Sequence, residues 1–307
     1  MSQLHADRHW PRAHAWLAGD SATTTARGLL RVLGLPLTLG SITTSRCDLA
    51  PKAVREALVR FSTYDIVHKQ DLRDIKIEDL GDLALAELQV EEAQQPIEDA
   101  VRRATAECDA LVLLGGDNSI TRPAMRGLHT DLKKCGLLTL DAHLDLRTLE
   151  GGLRNGNPVR ALLEDGLPGD NIVQVGIQSF ANSSDYFQVA ENAGIHVIPV
   201  EQVMGDGAGR VVQHALHRLA RKVDTIYVDL DLDVMDRAFA PATAGARPGG
   251  LTSLDIRRAA YLCGAHPKVR AMDLVEMDPT RDSNDVTALA AASCLLSFAS
   301  GVLSRLS

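Results

Sequence analysis

Three short acidic stretches carry the side chains best suited to chemistry: Gly115-Gly116-Asp117-Asn118-Ser119, Asp141-Ala142-His143-Leu144-Asp145 and Asp229-Leu230-Asp231-Leu232-Asp233-Val234-Met235-Asp236. Each follows an apolar run of strand character, Ala110 to Leu114, Gly136 to Leu140 and Thr225 to Val228. The carboxylates therefore come where the chain leaves a buried sheet, the place where open α/β folds bind ligands. On an extended backbone Asp141, His143 and Asp145 project to one side, as do Asp229, Asp231 and Asp233. Carboxylates crowded on one buried face repel one another and take up protons unless a cation sits among them. Oxygen donors with few imidazoles favour Mn²⁺ or Mg²⁺ over thiolate-seeking metals, and the included histidine tips the choice to Mn²⁺. A Gly-Gly-Asp after a strand is by itself only a turn. The third stretch says more, because a surface strand would not carry Val228, Leu230 and Leu232 between its acids.

The elements that must position these residues alternate. Strands are expected near 28–35, 77–80, 109–115, 136–141, 172–177, 195–199, 224–232 and 269–275. Helical stretches run from Lys52 to Phe61, Gln94 to Glu107, Arg122 to Leu128, Val159 to Glu164, Tyr186 to Ala193, Gly209 to Arg221, Leu254 to Gly264 and Val286 to Leu303. Such alternation argues for a parallel sheet covered on both faces, with right-handed crossovers. No repeat, low-complexity tract or linker divides the 307 residues, so one domain over 1–307 is expected. The irregular run from Ala240 to Gly250, directly after the acidic strand, is expected to shape a pocket.

With 45% hydrophobic and 23% charged residues the chain has ordinary globular composition. A formal charge of -8 without clustered Lys and Arg argues against nucleic-acid binding. Five scattered cysteines and no Cys-x-x-Cys indicate neither a disulfide framework nor a thiolate metal site. The charged opening Met1 to Trp10 has no signal-peptide core, and the apolar stretch Thr287 to Leu303 falls short of the roughly 20 residues of a membrane span. A cytoplasmic protein without a membrane partner is the expectation, with a buried C-terminal helix.

The order Gly-Gly-Asp-x-Ser, Asp-Ala-His-x-Asp, Asp-x-Asp-x-x-Asp resembles the ureohydrolase superfamily of arginases, agmatinases and formimidoylglutamases. The likeness extends to Ala50-Pro51-Lys52-Ala53-Val54-Arg55-Glu56-Ala57, to Pro248-Gly249-Gly250-Leu251-Thr252 and to Asp273-Leu274-Val275-Glu276-Met277-Asp278-Pro279. It implies a three-layer α/β/α fold on an eight-stranded, mostly parallel sheet, a pair of Mn²⁺ ions, a small-molecule substrate and a homo-oligomer, trimer or hexamer. Residue by residue, it implies that Asp141 and Asp231 bridge the ions, that His143 and Asp233 complete one, and that Asp145 helps hold the other beside Asn118. Glu276 would face the cationic end of the substrate, since a carboxylate suits a planar N–H cation. The implied reaction is metal-assisted hydrolysis of an amidine, with Asp145 relaying a proton to the leaving amine.

Two departures from the superfamily pattern matter. Asn118 stands where a histidine is usual, and a neutral amide is a weaker ligand, so one ion is expected to be held loosely or lost. Asp229 stands where a small or hydroxylic residue is usual; it either compensates electrostatically for Asn118 or pairs with a nearby Arg or Lys. The segment Leu153-Arg154-Asn155-Gly156-Asn157-Pro158 and the run Asp145-Leu146-Arg147 resemble formimidoylglutamases rather than arginases. They nominate Arg147, Arg154, Asn155 and Asn157, with Glu276, as substrate-binding residues, an arginine clamping a substrate carboxylate. Ser179, Asn182 and Asp185 are placed either for substrate contact or to cap the helix from Tyr186. Hydrolysis of N-formimino-L-glutamate to glutamate and formamide is the leading reading. Hydrolysis of agmatine or a hydroxylated arginine, and a metal-poor non-catalytic relative with a binding or regulatory role, are the alternatives.

Overall fold

The computed structural model describes Asp7, residues 9–20 and residues 23–306. Most of the opening segment Met1 to Trp10, read above for a leader, lies outside the described residues. Eight strands form one sheet: β1 (Leu29–Leu35), β4 (Lys76–Asp82), β5 (Ala110–Gly115), β6 (Cys135–Leu140), β7 (Ile172–Ile177), β8 (His196–Pro199), β9 (Thr225–Asp231) and β10 (Val269–Val275). Their order is β4-β1-β5-β10-β9-β6-β7-β8, and every pairing in it is parallel. Strands β5, β6, β7 and β9 are buried at every residue, which is why they read as continuous apolar runs.

Alternation sorts the side chains of this sheet into two cores. On one face Val112, Leu114, Val228, Leu230, Met272 and Leu274 pack with α2 (Ala50–Ala57), α8 (Ala208–Ala220), α9 (Ser253–Ala265) and α10 (Val286–Arg305). On the other Leu111, Leu113, Tyr227, Ala271 and Val275 pack with α3 (Val90–Thr105), α4 (Thr121–Leu128), α5 (Pro158–Glu164) and α6 (Ser184–Ala193). The result is the three-layer α/β/α arrangement expected from the alternating elements. Helix α10 is long and apolar enough to cross a membrane by length and composition, yet 78% of its apolar window is buried inside the protein. It is a core helix, against which α9 lies.

Some elements differ from the sequence reading. Helix α3 starts at Val90, because Gln89 and Glu92 form a reciprocal cap that propensity alone does not locate. Helix α2 ends at Ala57 and passes into a 3-10 turn, Leu58–Arg60. Helix α7 (Val200–Asp206) was not anticipated; Gly207 at φ 87 separates it from α8. The short α1 (Ala13–Leu17) and a two-stranded hairpin, β2 (Tyr64–Asp65) with β3 (Gln70–Asp71), are also additions. They are too short to leave a periodic signature.

Helices α9 and α10 approach where each carries a glycine. A Cβ at Gly264 would lie 2.1 Å from the Phe298 carbonyl oxygen, and one at Gly301 equally close to that of Tyr261. In an ordinary helix Gly→Ala stabilises by about 1 kcal/mol. Here the sign reverses: Gly264→Ala is expected to cost ~1–3 kcal/mol through overpacking, measured by urea denaturation. A stabilised variant would show that the two backbones do not need this proximity.

Candidate metal centre

The three acidic stretches and Glu276 follow four strands that are neighbours in the sheet, β5, β10, β9 and β6. Their C-terminal ends deliver Asp117 and Asn118, Glu276, Asp231 and Asp233, and Asp141, His143 and Asp145, respectively. Convergence does not come from one extended face, as the spacing suggested. Strand β6 stops at Leu140 and β9 at Asp231; Asp233 sits in a 3-10 turn, Leu232–Val234. Asp145 lies at φ 51 and Glu276 at φ 70. A left-handed backbone at a non-glycine residue is held only where surrounding contacts enforce it, and it re-aims a side chain that a strand would point elsewhere.

Backbone amides and neighbouring side chains hold the acids in place. His143 N–H donates to Asp141 Oδ1 at 2.6 Å, Asp233 N–H to Asp231 Oδ1 at 2.8 Å, and Ala142 N–H to Asp233 Oδ1 at 3.2 Å. One ligand-type atom each from Asp141, His143 and Asp233 lies within 4.8 Å of the others. His143 Nδ1 stands 2.9 Å from Asp233 Oδ2 and 3.5 Å from Asp141 Oδ1. Asn118 Nδ2 donates to Asp145 Oδ2 at 2.7 Å. Glu276 Oε1 accepts from the Asn118 backbone N–H at 2.7 Å and from Asn155 Nδ2 at 3.0 Å.

Burial dominates the electrostatics. It pushes Asp141 up to about 7, with help from the charge of Asp233, and Glu276 up to about 8, with help from Asp117. Asp145 and Asp231 are driven well above the usual carboxylate range, by burial first and then by Asp141 and Asp233, respectively. Asp233 goes the other way: burial acts against it, but the charge of His143 and its hydrogen bond hold it low. For His143, burial is outweighed by Asp233 and Asp141, which push it up to about 11. Arg247 Nη1 lies 2.9 Å from His143 Nε2, however, and a guanidinium only donates. That contact demands a lone pair on Nε2 and leaves the single imidazole proton on Nδ1, facing the carboxylates, where a cation would replace it.

A cavity of about 420 Å³ opens above these groups. His143, Asp145, Asp231, Asp233 and Glu276 form its floor, while Arg147, Asn155, Asn182, Tyr186 and Arg247 stand among its other lining residues. Asn118 and Asp141 lie buried behind it. Two of the nominated residues are elsewhere. Arg154 turns its Nη1 onto the Leu153 carbonyl at 3.0 Å, and buried Asn157 gives its amide to the carbonyls of Thr148 and Gly152. Both hold the shape of the loop that carries Asn155. Of the three polar residues after β7, Asn182 pins the loop from Asp141 to Asp145 by accepting from Leu144 N–H and donating to Ala142 O. The cap of α6 is Ser183, whose hydroxyl accepts from Tyr186 N–H.

Asp229 does not pair with an Arg or Lys, one of the two expectations for it. It faces Asp273, its direct neighbour on β10, and feels the charges of Asp141 and Asp145 as well. Neither of its oxygens meets a donor, and burial, then the charge of Asp273, drives its pKa well above the usual range. Burial also raises Asp273, to about 6, against the hydrogen bonds it accepts from Tyr227 and Thr121. Arg247 was missed in the sequence; its place in the irregular loop after the third acidic stretch was the available signal.

The model of the Arginase family matches residues 29–300 of this chain. A formimidoylglutamase from Halalkalibacterium halodurans is 37% identical over 300 residues, 96% of this chain and 93% of its own length. The crystal structure of the Bacillus subtilis formimidoylglutamase superposes with a TM-score of 0.89 at 27% identity, covering 98% of this chain and 94% of that one. A Trypanosoma cruzi formiminoglutamase, solved with Mn2+2, shares the fold with a TM-score of 0.86 at 23% identity over 96% and 99% of the two chains. A parallel eight-stranded sheet, acids gathered at the ends of its central strands and a family match over nearly the whole length agree: the chain belongs to the Arginase family.

Proposed function

We propose that this protein hydrolyses N-formimino-L-glutamate to glutamate and formamide at a pair of Mn²⁺ ions. The relatives named formimidoylglutamase support the substrate, and the family supports metal-dependent hydrolysis of an amidine. The observation that carries the reading is the charge layout of the cavity, an acidic floor facing two arginines, Arg147 and Arg247. A substrate with one cationic amidine and two carboxylates matches that layout end for end. Agmatine, cationic at both ends and without a carboxylate, would bring one cation against the arginines.

The donor set fits the ions. Buried Asp141 keeps Oδ2 without any donor, and the neighbouring acids are unstable as anions unless positive charge is added. Asp141, His143, Asp145, Asp231 and Asp233, with Asn118, would hold the two ions. When bound, they supply a Lewis acid and lower the pKa of water near the scissile carbon. Glu276, aimed by Asn118 N–H and Asn155, takes the amidinium N–H groups and presents the carbon over the floor. Water adds its oxygen to that carbon, and the C–N bond to the glutamate nitrogen breaks. Asp145 carries the proton from the water to that departing nitrogen. Arg147 and Arg247 orient the two carboxylates. Cytoplasmic location and assembly into a trimer or hexamer belong to the same proposal; the exposed apolar tip of the β2–β3 hairpin, Ile66 and Val67, supports assembly as a patch that a second copy would cover.

The direct test is glutamate release from N-formimino-L-glutamate by protein stripped of metal and then reconstituted. Turnover should vanish on chelation and return with Mn²⁺; metal-loaded protein that turns over agmatine and not the formimino compound would sink the substrate assignment. Arg147→Met should raise KM about tenfold or more with a smaller change in kcat, the loss of ~1.4 kcal/mol or more of carboxylate binding; Arg247→Met, which also releases His143 Nε2, should raise KM and lower kcat as well. An unchanged KM in both would remove the arginines from substrate recognition.

The raised carboxyls also set a pH dependence. Asp141 at about 7 and Glu276 at about 8 in the folded protein lie above their unfolded values of about 4. Their contribution to the metal-free fold is thus present at low pH and is lost as pH rises through 7 and 8. Mn²⁺ neutralises the cluster, so the gap in Tm between loaded and metal-free protein should widen from about pH 6 to pH 9. A constant gap across that range would contradict the buried-acid account.

A further inference from the structure

Asn118 enters the metal centre through an amide whose two ends are almost the same size but chemically opposite. An amide ligates a hard cation through oxygen, so it matters which end faces Asp145. Here Nδ2 faces Asp145 and Oδ1 faces Thr121. Thr121 Oγ1 stands 2.6 Å from Asn118 Oδ1 and 2.9 Å from Asp273 Oδ2. A hydroxyl has one proton and cannot donate to both.

Asp273 has the stronger claim on that proton. It is fully buried, accepts from the Tyr227 hydroxyl at 2.6 Å through Oδ2 and from Leu230 N–H at 3.1 Å through Oδ1. A carboxylate meeting donors on this scale is an acceptor, and hydrogen bonds to a carboxylate are stronger than those to an amide oxygen. With its proton committed to Asp273, Thr121 has only lone pairs left for Asn118. Oxygen against oxygen at that distance is repulsive, and the amide relieves it by turning over. Nδ2 then donates to Thr121, and Oδ1 faces Asp145. The turned form is the one a cation between Asn118 and Asp145 needs.

We propose that Asp273 is a positioning residue which, by holding the Thr121 proton, fixes the polarity of the Asp273, Thr121, Asn118 chain so that Asn118 presents Oδ1 to the divalent cation. The inference rests on the metal-centre reading above and says why an asparagine serves in that position: its orientation is imposed from beneath by a hydroxyl and a buried acid. A symmetric carboxylate at residue 118 would have no need of that control.

The test measures Mn²⁺ retained per chain by elemental analysis after gel filtration, and the dissociation constant of the weaker site by titration calorimetry. Thr121→Val keeps the shape of a fully buried side chain and deletes the hydroxyl. It should weaken the weaker site about tenfold or more and lower retained metal from about two ions toward one. Thr121→Ser should restore binding, and Asp273→Asn, whose amide can donate to Thr121 and release its proton, should weaken it as Thr121→Val does. In an Asn118→Asp background both ends of residue 118 are oxygen, and Thr121→Val should cost less than about threefold. An equal loss in the Asn and Asp backgrounds would make Thr121 a packing residue and overturn the proposal. Wild-type protein that retains two ions while Thr121→Val binds them equally well overturns this inference alone; wild-type protein that binds no Mn²⁺ overturns the metal centre with it.

Discussion

The structure depends on one electrostatic constraint: several carboxyls occupy a volume from which water is largely excluded, at the ends of four adjacent parallel strands. Taken out of water singly, each would protonate; taken together as anions, they would repel by amounts no fold of this size withstands. Protonation and cation binding are the two solutions, and the raised pKa values of Asp141, Asp145, Asp231 and Glu276 are the metal-free protein's use of the first. The sheet makes the crowding possible. Its strands are anchored on both faces by apolar helices, so the loops at their ends inherit a rigid origin and need few residues of their own.

Rigidity of the floor comes from short-range backbone contacts more than from side-chain packing. Asp141, Asp231 and Asp233 each receive a nearby backbone N–H, and the two left-handed residues, Asp145 and Glu276, turn their side chains back over the sheet. Gly245 closes from the opposite loop, with no room for a Cβ against Asp233. The same loop brings Arg247 onto His143, so the imidazole is oriented by a cation on its outer nitrogen while its inner nitrogen faces the acids. Ligand orientation by outer contacts of this kind sets metal affinity as much as ligand identity does.

Much of this was legible in the residues. Apolar runs with no alternation gave the buried parallel strands, because a strand covered on both faces has no polar side to show. The acidic stretches marked the sheet's ligand end because a buried strand has no other reason to finish in carboxylates. Direction was less legible. Asp229 and Asp231 share a face of β9, yet β9 ends at Asp231 and only there does the chain turn toward the cluster; one pair of residues earlier, the same side chain meets Asp273 on the neighbouring strand. Strand order decides that pairing, and local spacing does not encode it. Arg154 and Asn157 looked like binding residues for a related reason: their types suit a carboxylate, but a loop that must present Asn155 consumes its own polar groups first. Arg247 comes from a stretch without periodicity, whose contacts are long-range and therefore silent in sequence.

The charge layout of the cavity bears on selectivity more than on affinity. The chain carries a formal charge of -8, so long-range attraction does not gather an anionic substrate. Within the cavity, however, Arg147 and Arg247 stand on the walls and the acids below, giving a local field with its positive end outward. With ions in place the floor would no longer be negative, and in the proposed reading Glu276 is the carboxylate left to read the cationic head. A molecule with a positive head and negative tail enters in one orientation; one with two positive ends meets the arginines whichever way it turns. Both ends of the proposed substrate are thus read before any bond is made, and binding energy from the carboxylates, remote from the reacting carbon, is available to hold that carbon over the floor.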